Sequence, residues 1–348
     1  MANFFNKMYT AELQIGTPKQ KFAHVVLDTG SADLWVLSSQ AKGHGVPSAS
    51  YLNYYNHDKS TTYYGPVSKW SIQYGSGKAQ GYTAKDVVYL SNDLKSEGFT
   101  FAEATYVEDM EMDELEPQDG ICGFARGSAS TIEGSTTLTE SLTAEGEQST
   151  SVFAFYLTKH NEQGSKLVIG ANDKHEGRYF KTDTMKYVPI TDDYGYDVSG
   201  LWGFEIVSIS ISFDDEQKSV ALWDTATTTT TTTTTTSQSK HYGIVDTGTT
   251  YIGVPQTFYD ALMKHITKKR TDCFTQYGST YDSYVCQDVA HPSRHLPHIT
   301  FQMYDEQANV QKFTLTAGDY MDDGLFVLTQ FFFKKKKKKT YIYIYVNI

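Results

Sequence analysis

Short runs in which apolar and polar residues alternate follow one another along most of the chain. Clusters of Gly, Asn, Asp and Ser separate them at roughly ten-residue intervals, a spacing typical of all-β proteins. The pattern therefore predicts a chain built mainly from short strands. The clearest candidates are Tyr9–Ile15, Phe22–Asp28, Lys85–Leu90, Phe99–Val107, Val152–Leu157, Lys166–Ile169 and Glu205–Phe213.

Two segments have the pattern of a helix instead. Apolar Phe258, Leu262 and Ile266 recur every fourth residue, and Pro255 lies where the first turn would be. Proline is tolerated at that position, and the spacing places the three apolar side chains on one helix face. We expect a helix beginning at Pro255 and a second, weaker one over Thr137–Ala144.

Two further segments fit neither period. Ten threonines fill 227–236, where no apolar face is available for burial, so a disordered surface insertion is predicted. Residues 331–348 consist almost entirely of Phe, Lys, Tyr, Ile and Asn, all encodable by codons of A and T alone. One hypothesis is that this tail is translated intron or frameshifted sequence, and the alternative is a natural basic tail. We expect both segments to lie outside the fold.

Composition narrows the class of protein. A length of 348 residues suggests two domains or one large β domain, and 39% apolar residues suffice for a core. No run of 18 apolar residues encodes a membrane-spanning helix, and residues 1–8 show no signal peptide. The net charge of −11 becomes −17 without the six lysines at 334–339, which argues against nucleic acid as a partner. Three cysteines and scattered histidines predict no metal site.

One local design occurs twice. Residues 24–31 read His-Val-Val-Leu-Asp-Thr-Gly-Ser, and residues 242–250 read Tyr-Gly-Ile-Val-Asp-Thr-Gly-Thr-Thr. Each copy is an apolar, β-branched run that ends in Asp-Thr-Gly and a hydroxyl residue. Chance would supply only about 0.2 such triplets in a chain of this composition. A lone triplet is usually a tight turn after a strand, but two matched copies 218 residues apart indicate one per domain.

The chemistry of the repeat fits an acid–base pair. A buried strand would bring Asp28 and Asp246 to the edge of a core, where ionisation is disfavoured. The glycine that follows lets backbone amides approach the carboxylate, and the hydroxyl of Ser31 or Thr249 can bond its outer oxygen. If the two domains place these carboxyls together, they must share one proton. Such a pair can activate a water as base and protonate a leaving group as acid.

Further motifs carry a resemblance to a known family. They are Tyr9-Thr-Ala-Glu-Leu-Gln-Ile-Gly-Thr-Pro18, Asp28-Thr-Gly-Ser-Ala-Asp-Leu-Trp35, Ser71-Ile-Gln-Tyr74-Gly75-Ser76-Gly77, Asp119-Gly-Ile121-Cys122-Gly123, Lys166-Leu-Val-Ile-Gly170 and Leu296-Pro297-His-Ile-Thr-Phe301. In this order the sequence resembles the pepsin-like aspartic proteases, the bilobal eukaryotic kind that includes cathepsin D. The resemblance implies an all-β fold of two homologous lobes with a cleft between them. It implies an N-terminal lobe over 1–178 and a C-terminal lobe over 179–330, with 331–348 as an aberrant tail.

The resemblance also implies roles for single residues. Asp28 and Asp246 would be catalytic, and Tyr74 would be the tyrosine of the flap, the hairpin that closes over substrate, bonded to the indole of Trp35. Residues expected to contact substrate are Gly30, Ser31, Gly75, Ser76, Gly248 and Thr249, with Val26 and Ile121 lining the adjoining pocket. Cys273 and Cys286 would form a disulfide, while Cys122 is expected to be a thiol of the core. The family works without a cofactor beyond water.

The sequence departs from the family pattern at its end. The second hydrophobic-hydrophobic-Gly element, which should brace the Asp246 loop as Ile121-Cys122-Gly123 braces the Asp28 loop, is absent. We therefore expect the closing strands of the second lobe to be absent.

The predicted function is an aspartic endopeptidase with an acidic optimum, acting on peptides as a monomer in a lysosomal, vacuolar or secreted location. Two alternatives are a catalytically impaired protein that binds peptides or proteins on the same fold, and a structural or adhesive β protein. The paired Asp-Thr-Gly loops would have no role in the second of these.

Overall fold

The computed structural model describes most of the chain. The residues outside the description are 5–7, 111, 145–151, 159–162, 170–185, 192–199, 215–218, 225–240, 251, 270–272, 277–282, 287–295, 323–324, 331–340 and 345–348. The threonine run and the predicted boundary at 178/179 fall in these gaps, so both remain predictions. The helices of the described residues all lack the length and apolar character that crossing a bilayer requires.

The N-terminal half is built on one eight-stranded sheet. Its strands are β1 (Ala2–Phe4), β2 (Met8–Ile15), β3 (Gln20–Asp28), β4 (Leu34–Leu37), β5 (Tyr64–Gln73), β6 (Lys78–Tyr89), β7 (Lys95–Glu108) and β8 (Gly120–Gly123). Their order across the sheet is β1-β2-β3-β8-β4-β7-β6-β5. The central strands are apolar and buried along their whole length, as expected where both faces of a sheet are covered.

A small sheet and a helix complete this half. Strands β9 (Phe153–Tyr156) and β10 (Lys166–Ile169) pair antiparallel, and helix α1 spans Leu138–Ala144. The helix begins with reciprocal bonds: Glu140 donates its N–H to the Thr137 hydroxyl at 3.2 Å, and the Thr137 N–H bonds the Glu140 carboxylate at 2.9 Å. Three 3-10 helices cover Ser39–Ala41, His57–Lys59 and Gly127–Ala129.

The C-terminal half contains two sheets. One has four strands, β12 (Ser208–Ser212), β13 (Val220–Asp224), β18 (His298–Tyr304) and β19 (Val310–Leu315), in the order β13-β12-β18-β19. The other contains β11 (Gly203–Ile206), β14 (His241–Val245), β15 (Ile252–Val254), β16 (Cys273–Gln276), β17 (Ser283–Cys286), β20 (Met321–Asp322), β21 (Leu325–Gln330) and β22 (Tyr341–Ile344). Its order is β11-β14-β22-β15-β21-β17-β16, with β20 paired to β21.

Two helices pack in the C-terminal half. Helix α2 spans Gln256–Lys269, directly after Pro255, and α3 spans Ala317–Tyr320. Phe258, Leu262 and Ile266 of α2 are buried in the core with side chains of β11, β12 and β18. The helix predicted from the four-residue spacing is therefore confirmed.

The structure corrects two predictions. The single strand predicted at Glu205–Phe213 is two strands in different sheets, because the chain leaves β11 at Val207, whose N–H donates to the Gln302 carbonyl at 2.8 Å. The prediction that the closing strands of the second half are absent is wrong, because Tyr341–Ile344 forms β22. This strand lies at the centre of the sheet, parallel to β14 and antiparallel to β15.

The two large sheets repeat one arrangement. In each, a closing strand runs between two neighbours, parallel to the first and antiparallel to the second: β8 between β3 and β4, β22 between β14 and β15. The second neighbour is parallel to the next strand in both sheets, as β4 is to β7 and β15 to β21. Val26 opposite Ile121 corresponds to Ile244 opposite Tyr343, so the 218-residue spacing of the sequence repeat is also a structural equivalence.

Candidate active site

The two repeated loops meet where the halves join. Asp28 ends β3 and Asp246 directly follows β14, and their exposed fractions are only 5% and 8%. Asp28 accepts the Gly30 N–H at 2.8 Å, and Asp246 accepts the Gly248 N–H at 2.9 Å. The outer oxygens accept hydroxyl bonds, from Ser31 to Asp28 and from Thr249 to Asp246, the latter at 2.5 Å. The bonds expected from the sequence are therefore present in both copies.

A lattice of threonine bonds, which the sequence reasoning missed, joins the loops across the halves. The Thr29 N–H donates to the Thr247 hydroxyl at 3.0 Å, and the Thr247 N–H donates to the Thr29 hydroxyl at 2.9 Å. Each hydroxyl then donates onward, to the Val245 carbonyl at 2.9 Å and the Leu27 carbonyl at 2.6 Å. The signal was the threonine common to both triplets. Its role appears only when the two loops are seen together.

The glycines allow the carboxyls to approach. A Cβ on Gly30 would lie 2.6 Å from the carboxyl atoms of Asp246, and a Cβ on Gly248 would lie closer still to Asp28. Real Cβ atoms do not come so close, so each loop can carry only glycine beside the aspartate of the other half. This requirement also shows that the two carboxyls share one small volume.

Burial and charge act together on this pair. The pKa of Asp28 is raised from its ordinary value, first by burial, then by the charge of Asp246 and by a hydrogen bond between the two carboxyls. Bonds from Ser31 and Gly30 to the ionised form oppose that rise. The Asp28 carboxyl therefore keeps its proton to a higher pH than an ordinary aspartate does.

Backbone bonds brace the Asp28 loop from below. The N–H of Gly123 donates to the Asp33 carbonyl at 2.9 Å, and the N–H of Phe124 donates to the Asp28 carbonyl at 2.6 Å. A Cβ on Gly123 would lie 2.5 Å from the backbone of Ser31 and Ala32, so β8 can approach the loop only through glycine.

The hairpin of β5 and β6, the predicted flap, brings Tyr74 close enough to Asp28 for the charge of that carboxyl to act on the Tyr74 hydroxyl. Its turn closes with a bond from the Tyr74 N–H to the Gly77 carbonyl at 2.7 Å, leaving Gly75 and Ser76 exposed at the tip. The Trp35 indole donates to the Tyr74 hydroxyl at 2.8 Å, which is the bond expected from the sequence. Burial, and then the charge of Asp28, raise the pKa of Tyr74, so its hydroxyl keeps its proton.

Apolar side chains lie beside the pair and beneath the flap. Val26 and Ile121 are directly opposite in the parallel ladder of β3 and β8, with exposed fractions of 5% and 6%. Both pack in one cluster with Trp35, and Tyr74 lies against it. The two residues predicted to line a pocket therefore belong to the apolar cluster against which Tyr74 packs.

The three cysteines lie in two parts of the structure, Cys122 in β8 and the other two in β16 and β17. Cys122 is a buried free thiol, and burial raises its pKa to about 12, so it is not a nucleophile. The backbone register places Cys273 directly opposite Cys286 in the antiparallel pair β16–β17. Residues directly opposite in such a ladder lie within the Cα separation that a disulfide needs. The bond itself stays a prediction.

A buried pair of aspartates, one from each of two related β sheets, is the arrangement that characterises aspartic proteases as a class. Residues 8–342 match the sequence model of the family described as eukaryotic aspartyl protease. The chain belongs to this family, and the predicted all-β, two-lobed fold is confirmed with it.

Individual relatives agree with the family assignment. Pregnancy-associated glycoprotein 2 of Sus scrofa is 36% identical over 192 residues, which cover 55% of this chain and 43% of that protein. Vacuolar protease A of Aspergillus fumigatus is 31% identical over 272 residues, or 77% and 58% of the two chains. Probable vacuolar protease A of Trichophyton verrucosum is 29% identical over 324 residues, or 91% and 67%. The aligned part of this chain thus spans between 43% and 67% of these relatives.

Proposed function

We propose that this chain is an aspartic endopeptidase in which Asp28 and Asp246 activate a water for attack on a peptide bond. The observation that carries the proposal is the pair itself: two buried carboxyls from different halves, each beside the glycine of the other loop and each supported by Gly and hydroxyl donors. Family membership supports the reaction class.

The chemistry follows from one shared proton. The ionised carboxylate takes a proton from water as the water oxygen bonds to the peptide carbonyl carbon. The protonated carboxyl gives its proton to the carbonyl oxygen. When the tetrahedral species collapses, the C–N bond breaks and the leaving nitrogen takes the proton of one carboxyl. The other, ionised carboxyl takes the proton that a hydroxyl of this species loses, which restores the single proton of the pair. These steps require neither a covalent intermediate nor a cofactor.

Other residues contact the substrate in this proposal. The exposed tip of the predicted flap, Gly75 and Ser76, would meet the peptide backbone, as would Gly30, Gly248 and Thr249. Val26 and Ile121 would line the pocket next to the scissile bond, while Tyr74 and Trp35 hold the flap. Ser31 would support Asp28. Both aspartates come from one chain, so we propose that a monomer is sufficient.

Conditions of action are part of the proposal. The pair needs one proton, so activity falls as the pH rises through the raised pKa of Asp28, and an acidic environment keeps the proton in place. Two relatives are named vacuolar proteases. A vacuolar, lysosomal or secreted location, which would also favour a Cys273–Cys286 disulfide, fits this requirement.

The decisive experiment replaces each aspartate with asparagine. Asp28→Asn and Asp246→Asn should each reduce peptide hydrolysis at pH 3–5 by at least about 10³-fold, because either change removes one half of the acid–base pair. Asp93→Asn, at an exposed position, is the matched control and should keep full activity. Activity that survives in either dyad variant would refute the proposal.

A binding assay on the wild-type chain distinguishes the protease from the alternative, a protein that binds peptides without cleaving them. A peptide inhibitor whose hydroxyl takes the place of the attacking water should bind the wild-type chain. If it binds while no peptide is cleaved, the chain is a binding protein on this fold. The two intact aspartates, buried side by side, favour the enzyme.

A further inference from the structure

A second buried carboxyl lies near the pair. Asp33, between β3 and β4, has an exposed fraction of 2%. Its carboxylate accepts the Ser130 hydroxyl at 2.5 Å, the Thr131 N–H at 3.2 Å, the Thr131 hydroxyl, and the Trp70 indole N–H at 3.1 Å. All of these donors are uncharged, and together they come from two segments distant in sequence.

Trp70 makes this carboxyl relevant to the flap. It lies on β5, four residues before Tyr74, and its side chain is buried. Its indole also donates to the Thr131 hydroxyl at 3.0 Å, and its ring packs against Trp35 with a centroid separation of 6.3 Å. Strand β5 is thus bonded to the loop that follows Asp28.

Two indole bonds therefore link flap and catalytic loop, in opposite directions. Trp35 of the body donates to Tyr74 near the flap tip, whereas Trp70 of the flap donates to Asp33 of the body. The Trp70 N–H is shared between Asp33 and the Thr131 hydroxyl, and that hydroxyl in turn donates to Asp33. Strand β5 is thus bonded to a small polar network centred on the Asp33 carboxyl.

We propose that Asp33 is a positioning residue for the flap: its carboxylate holds Trp70 and thereby biases the flap towards the closed position over Asp28 and Asp246. The proposal rests on the proposed protease function. Asp33 acts through Trp70 and contacts neither of the two catalytic carboxyls through any of the bonds above.

A loosened flap has a distinctive kinetic consequence. If substrate binds only the closed form, the apparent dissociation constant rises by the inverse of the closed fraction, while the saturated complex is closed as before. Removing the Trp70–Asp33 bond should therefore raise KM and leave kcat nearly unchanged. A simple loss of folded protein would instead lower the apparent kcat and leave KM unchanged.

The test compares two tryptophans. Trp70→Phe keeps the ring and removes the indole donor, and we expect KM for a peptide to rise on the order of tenfold, with kcat within about twofold. The matched control is Trp202→Phe, because the Trp202 indole is also a hydrogen-bond donor, to the Phe124 carbonyl at 2.8 Å, away from the flap. Its KM should equal that of the wild type.

Variants of Asp33 provide the second comparison. Asp33→Ala should reproduce the effect of Trp70→Phe, whereas Asp33→Asn retains an oxygen that can accept the indole and should keep KM within about threefold of the wild type. A fall in kcat at unchanged KM in Trp70→Phe would show a merely structural role and overturn the proposal.

Amide hydrogen exchange separates this inference from the protease proposal. In Trp70→Phe, amides of β5 and β6 around the flap turn should exchange faster, and in Trp202→Phe they should not. A wild-type chain without any hydrolysis would refute the protease function, yet the exchange result would still decide the role of Asp33. Unchanged flap exchange in Trp70→Phe would refute that role.

Discussion

The two large sheets share the arrangement of strands next to the aspartates. They differ in the sequences of those strands, in the connections between them and in the neighbouring hairpins. β8 reads Gly-Ile-Cys-Gly and β22 reads Tyr-Ile-Tyr-Ile, yet both run parallel to the strand that delivers the aspartate. The connections that lead into them have 11 and 10 residues. The first of these contains six acidic residues, and the second contains six lysines.

The hairpins next to these shared strands also differ. β5 and β6 of the N-terminal sheet have 10 and 12 residues and form the flap, whereas β16 and β17 of the C-terminal sheet have four each. The two sheets thus share the strands that position the two aspartates and differ in the hairpins beyond those strands. The ladder of backbone bonds depends little on side-chain identity, so it survives a divergence that erases sequence similarity.

Breaking the closing strand should have the largest effect. β22 is the strand that connects β11 and β14 to the remainder of its sheet, so Tyr343→Pro removes a ladder bond beside Asp246. We expect kcat/KM to fall at least about 100-fold, as for Ile121→Pro at the equivalent place in β8. Steady-state hydrolysis and the urea midpoint of each variant measure this.

Removal of residues 331–348 should act in the same direction as Tyr343→Pro. If the shortened chain and Tyr343→Pro both kept full activity while Ile121→Pro lost it, the equivalence of β8 and β22 would be broken.

The threonine lattice should lose stability equally from either side. Thr29→Val and Thr247→Val each preserve shape and leave a buried N–H and carbonyl without their partner, at a cost of about 2 kcal/mol. Urea unfolding should give the two variants equal losses, and the double variant less than their sum, because they share the same lattice. Losses differing by more than about 1 kcal/mol would show that the halves are unequal at their centre.

The smallest effect concerns a position where the halves differ in charge. His241 is the 218-residue counterpart of Ala23, and burial lowers its pKa from 6.5 to about 4. The neutral form is thus favoured in the folded state, so stability is fully present above pH 6.5 and declines as the pH falls towards 4. After a discount for its partial exposure, the loss is about 1 kcal/mol.

His241→Gln should remove that decline. Urea unfolding at pH 7 and pH 4 should show a smaller difference in this variant than in the wild type. His44→Gln, at an exposed position, serves as the control and should unfold like the wild type at both pH values. An unchanged pH dependence in His241→Gln would assign the decline to other groups.

Asp28 has the opposite linkage. Its pKa is raised from 3.8 to about 8, so its contribution to stability is present below pH 3.8 and is lost as the pH rises through 8. Lowering the pH therefore stabilises the folded state through Asp28 in the N-terminal half and destabilises it through His241 in the C-terminal half.

Features whose interacting residues are close together in the sequence could be predicted from it, whereas features that depend on distant residues could not. The glycine and hydroxyl bonds to Asp28 and Asp246 lie within three residues, so the motif alone implied them. Helix α2 followed from its own period. The break at Val207 could not be foreseen, because its partner is Gln302 in a distant strand.

The closing strand of the C-terminal sheet was missed for a different reason. Tyr341–Ile344 alternates aromatic and β-branched residues, the types most enriched in strands. The biased composition of residues 331–348 nevertheless indicated a tail outside the fold. The roles of Thr29 and Asp33 were invisible for a third reason, since both depend on contacts between segments that no single motif contains.

The crossed glycines have a practical consequence for anyone preparing this protein. Because Gly30 faces Asp246 and Gly248 faces Asp28, neither half contains a complete site, however well its own sheet has folded. Spectra dominated by β structure would count such unassembled molecules as native. Titration with a stoichiometric tight-binding inhibitor would count only molecules whose halves are joined, so the ratio of the two amounts measures the quality of a preparation.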